Sequence, residues 1–77
     1  MGKQPYGEWA VGLGIRVVLA DGTVKSWSDE RPAVGLELDA RSIAASRLRA
    51  TVKLDYPDAQ VDVLALSTRL VIDHFPG

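Results

Sequence analysis

The run EWAVGLGIRVVLADG, Glu8 to Gly22, constrains the fold more than any other stretch of the chain. From Trp9 to Ala20 large and β-branched residues alternate with smaller ones at period two, the pattern of a long strand. One face takes Trp9, Val11, Leu13, Ile15, Val17 and Leu19; the other takes Ala10, Gly12, Gly14, Arg16, Val18 and Ala20. Neither side carries much charge, which predicts a strand covered on both faces. Glycine weakens a strand interior and marks places where another group comes close, so Gly12 and Gly14 read as a flat floor beneath a closely packed helix.

Asp21-Gly22 then signals a hairpin, because a two-residue type I′ turn needs positive φ at both central positions. Such a turn places Val18 opposite Lys25 and Arg16 opposite Trp27, with the guanidinium over the indole. The second strand spans Thr23 to about Asp29. Pro32 in DERP interrupts it, and alternation resumes over Ala33–Leu38 as a short third strand. Asp39 reads as an N-cap to a helix from about Ala40 to Asp55, ended by Pro57. Residues 60–75 are rich in Val, Leu and Ile and read as extended: two strands broken at Ser67-Thr68, or one strand with a bulge there. The expected fold is α+β: three N-terminal strands, one helix packed on one face of a small antiparallel sheet, then one or two C-terminal strands.

The 77 residues supply one hydrophobic core, hence a single domain over 1–77, with 1–7 as an arm ahead of the first strand. There is no cysteine and one histidine, so neither a disulfide frame nor a cysteine zinc site is expected. No cofactor and no metal are expected. Nine basic against ten acidic side chains give a net charge of −1, which offers no global attraction to nucleic acid or to an anionic membrane. No stretch reaches a membrane span and the N-terminus lacks a signal-peptide core; a cytoplasmic location is expected. Abundant Ala, Val, Leu, Asp and Arg with no Asn suggest a GC-rich bacterial or phage gene.

Along the helix, Ser42, Ser46, Arg49 and Lys53 form a narrow polar stripe with Arg41 and Arg47 beside it. Ala44, Ala45, Leu48 and Val52 form one apolar flank; Ile43, Ala50 and Leu54 form a second. Two flanks imply two coverings, and a second copy of the chain is the simplest source of the other. Ile43, Ala50 and Leu54, with Leu70 and Ile72 on a C-terminal edge strand, are the candidate homodimer interface. Trp27, Arg16 and Lys25 on the hairpin are candidates for binding a partner, as are Arg49, Lys53, Ser42 and Ser46 on the helix.

Chemistry is poorly represented. Gly12-Leu13-Gly14 lacks the third glycine and the following helix of a dinucleotide fingerprint. Asp73 and His74 are adjacent and so point to opposite faces of a strand, and no serine sits in a nucleophile elbow. Asp55, Asp58 and Asp62 lack the spacing of a calcium loop and suit a turn. The reading is a small non-enzymatic interaction or regulatory protein, homodimeric, that binds a macromolecular partner; a phage or mobile-element inhibitor is one form of that class. The alternative is a nucleic-acid binder that uses the basic helix stripe.

Overall fold

In the computed structural model, which describes residues 6–73, the chain runs β1 (Tyr6–Val18), β2 (Val24–Leu36), α1 (Glu37–Asp55) and β3 (Gln60–Asp73). The strands form one antiparallel sheet in the order β2-β1-β3, and α1 packs across one face. The α+β architecture matches expectation, with three strands in total. Residues 1–5 and His74 lie outside the described region, and Tyr6 and Gly7, expected in the arm, already belong to β1.

The core forms where the period-two pattern of β1 meets the 3.6-residue period of α1. Trp9, Val11, Leu13, Ile15 and Val17 are buried beneath Ala40, Ala44, Leu48 and Val52. Large side chains come from the middle strand and small ones from the helix, so α1 sits close to the sheet without leaving voids. Leu13, Val11 and Val17 are fully buried, each worth about 1.5–3 kcal/mol of transfer free energy. The Trp9 indole Nε1 donates to the Gly35 carbonyl at 2.9 Å, which satisfies its one polar atom in the core and ties the start of β1 to the end of β2.

The hairpin differs from expectation. Leu19 N–H donates to Thr23 C=O at 2.8 Å and Gly22 N–H to Leu19 C=O at 2.9 Å, so the loop is longer than two residues. Within the turn only Gly22 takes a positive φ, +89°, and Asp21 instead accepts from Thr23 N–H at 2.9 Å, which lowers the Asp21 carboxyl pKa. The register becomes Val18 with Val24, Val17 with Lys25, Arg16 with Ser26 and Ile15 with Trp27. Arg16 and Trp27 therefore lie on opposite faces of the sheet, and the expected guanidinium–indole stack does not form.

The strand expected at Ala33–Leu38 is the continuation of β2, which runs unbroken through Pro32. Because Leu19 and Thr23 exchange a hydrogen bond, the ladder's alternation turns the backbone groups of odd-numbered β2 residues towards β1 and those of even-numbered residues outwards. Pro32 is even-numbered and on an edge strand, so its missing N–H costs no ladder bond. The helix starts two residues before the expected cap: Leu36 is the cap residue with no side-chain bond, and Glu37 and Asp39 lie in the first turn, where their charge favours the helix dipole. Residues 60–73 form one strand with register shifts opposite Gly12/Leu13 and Glu8/Trp9.

Candidate functional site: an open sheet face between two unlike edges

The face of the sheet away from α1 has no covering element among the described residues. It carries Ala10, Gly12, Gly14, Arg16 and Val18 from β1, flanked in register by Ser26, Ser28, Glu30 and Pro32 from β2 and by Asp62, Leu64, Ser67 and Arg69 from β3. The expectation that β1 is covered on both faces is thus overturned. So is the helix floor: Gly12 and Gly14 face away from α1, which rests on the bulky row instead.

The glycines make room for side chains of β3. At the shift opposite Gly12/Leu13 an extra residue enters β3, and a bulge of this kind sends neighbouring side chains to the same side. Leu66 then leans over Gly14, where a Cβ would stand 3.1 Å from its Cδ1, and the Ser67 hydroxyl lies over Gly12. Small residues on the middle strand also let the outer strands meet above it: Arg69 of β3 approaches Glu30 of β2 to 4.0 Å. Both members are solvent-exposed, so that pair contributes little to stability.

The half of this face nearer the β1–β2 turn mixes exposed apolar and polar side chains. A shallow groove of about 570 Å³ runs across the three strands, lined by Gly14, Arg16, Ser28, Asp62, Leu64 and Leu66 among others. Leu64 and Leu66 remain 68% and 65% exposed, and Val24 on β2 is exposed as well. Arg16 and Asp62, opposite each other in register, stand beside the groove together with Arg49.

The two sheet edges are treated differently. On β3, Arg41 Nη2 donates to Ala65 C=O at 3.2 Å, Arg49 Nη1 to Val61 C=O at 2.5 Å and Lys53 Nζ to Ala59 C=O at 3.0 Å. Three helix cations on one flank thus cap one row of carbonyls, and Thr68 donates to Glu37 further along. On β2 the outward N–H of Glu30 is taken by the Asp29 carboxylate at 2.8 Å and Pro32 has none, whereas Val24, Ser26 and Ser28 lie in the stretch nearest the turn. Lys25 reaches Tyr56, its Nζ 3.4 Å from the hydroxyl and 5.4 Å from the ring centre. Trp27 is 40% exposed beside it.

The sequence candidates are dispersed over this geometry. Arg49 and Lys53 are engaged with the β3 edge, while Ser42 and Ser46 are exposed on the helix and Arg47 lies towards Pro32 on the other flank. Arg16 faces the open side; Lys25 and Trp27 face the helix side. Ile43 and Leu70 are half-buried and pack against the core, whereas Ala50, Leu54 and Ile72 are exposed. Leu64 and Leu66 are not among the sequence candidates, which take only Leu70 and Ile72 from residues 60–75; their spacing on one side of a strand, set against Gly12 and Gly14, carries the signal. Compared with known proteins, the chain matches no family model, no curated protein and no solved structure. No helix among the described residues is long and apolar enough to cross a membrane.

Proposed function

We infer that this chain is a non-enzymatic interaction domain that works as a homodimer and offers the open sheet face to a macromolecular partner. The observation that carries this reading is the pair Leu64 and Leu66, held largely in solvent above a glycine floor on a face that no element covers among the described residues. A fold this small has few large apolar side chains, and leaving two adjacent ones in water favours a surface that is covered in use. Three strands of about 13 residues span roughly 44 by 14 Å, a footprint on the order of 600 Å². That is close to the ~800 Å² that each partner contributes to a standard interface. Arg16 and Asp62 at the groove supply polar contacts of either sign at the rim.

The helix stripe supports the nucleic-acid alternative less well, since Arg41, Arg49 and Lys53 spend their donors on backbone carbonyls. The test compares proteins retained by the immobilised wild-type chain with those retained by a Leu64→Asp/Leu66→Asp variant. Both positions are exposed, so the variant is expected to fold. A partner held by the wild type and by Leu54→Asp, but lost by the double variant, is the expected result. A partner held equally by the double variant overturns the assignment of the face.

A further inference from the structure

We propose that the β2 edge from Val24 to Ser28 is a self-association site, at which a second copy of the chain adds antiparallel, centred on Ser26, to give a continuous six-stranded sheet. This deepens the dimeric reading above by naming the surface, and leaves the open face free for its partner.

The argument begins with backbone groups. The hairpin register turns N–H and C=O of even-numbered β2 residues outwards, so Val24, Ser26 and Ser28 present a row of donors and acceptors. The row is closed at one end, where Asp29 takes the Glu30 N–H and Pro32 has none. At the other end it stops at the turn, where Thr23 N–H is held by Asp21. The other sheet edge is capped by Arg41, Arg49 and Lys53. An open window of five residues on one edge, opposite an edge whose carbonyls are capped by three helix cations, is where strand addition fits.

The side chains say which strand fits. An antiparallel two-fold through Ser26 pairs Val24 with the second copy's Ser28 and Ser26 with its counterpart, and each such pair exchanges two backbone bonds. On the helix side it sets Lys25 against the second copy's Trp27 and Thr23 against its Asp29. No like charges meet, whereas a two-fold through residue 25 would oppose two lysines. The same register brings the two Trp27 indoles to diagonal positions, within reach of each other, and so shields the largest aromatic left exposed on β2.

The test uses the full chain, whose lack of cysteine makes introduced thiols unambiguous. Light scattering across a concentration series is expected to give a dimer for the wild type and a monomer for Ser26→Pro, with unchanged far-UV circular dichroism. Because proline could perturb the strand, Ser26→Cys is the second variant: copies facing at this position have Cα atoms about 5.5 Å apart, within disulfide range. Ser26→Cys is expected to cross-link on mild oxidation, and Ser46→Cys on the helix is not. A wild-type monomer at high concentration, a dimer with no Ser26→Cys cross-link, or a dimer abolished by Leu64→Asp/Leu66→Asp but not by Ser26→Pro would each overturn the proposal. A dimer through another surface overturns this interface while leaving the partner-binding reading of the open face standing.

Discussion

A glycine's meaning on a strand depends on what stands above it, and β1 holds contrasting cases. A Cβ at Gly7 would lie 2.0 Å from the Ile72 carbonyl oxygen, a backbone atom that cannot move aside. A Cβ at Gly14 would lie 3.1 Å from Leu66 Cδ1, the far end of an exposed side chain that can rotate away. Gly7→Ala is therefore expected to cost about 2–4 kcal/mol and Gly14→Ala less than about 1 kcal/mol, read as shifts in urea midpoints at constant slope. The sequence made both Gly12 and Gly14 visible as places of close approach, but not from which element. Helix residues such as Ala40 and Ala44 are small enough to lie on a glycine floor; in the structure their smallness is matched to Trp9, Val11 and Leu13 on the other side. Period two assigns residues to two faces without saying which face the helix takes, and a bulge that turns Leu66 and Ser67 to one side breaks the period where it matters.

At the level of elements, α1 was legible because Ala44, Leu48 and Val52 recur at helical spacing and Pro57 ends the run. Pro32 misled because an edge strand tolerates proline at outward positions, and edge status follows from sheet order, which no local pattern encodes. The same limit hid the role of the basic stripe: cations at helical spacing look solvated until a strand edge is found beneath them. Arg49→Met and Lys53→Met keep the apolar stems and remove the donors to Val61 and Ala59. Each is expected to lower stability by about 1 kcal/mol once solvent exposure is allowed for. The double variant is also expected to aggregate faster than wild type, as turbidity on heating, because an uncapped edge is a template for further strands.

The molecule as a whole is a two-layer body of 53 × 20 × 17 Å with a single row of fully buried large side chains. Its total stability is expected to be roughly 4–12 kcal/mol on the per-residue scale of small domains. Leu13→Ala, at the centre of that row, is expected to cost about 3–5 kcal/mol and to leave much of the protein unfolded near 37 °C, as measured by thermal unfolding. The placing of the first strand in the middle of the sheet has a consequence for biosynthesis. β1 leaves the ribosome first and meets β2 within a short hairpin, yet its other edge waits for residues that pair across the whole chain, Gly7 with Asp73 at the extreme. Until β3 is made, the even-numbered backbone groups of the most apolar strand stand unpaired beside one another. The nascent chain is thus most vulnerable to misassociation after β1 has emerged and before β3 clears the ribosome, and chaperone capture should peak in that window.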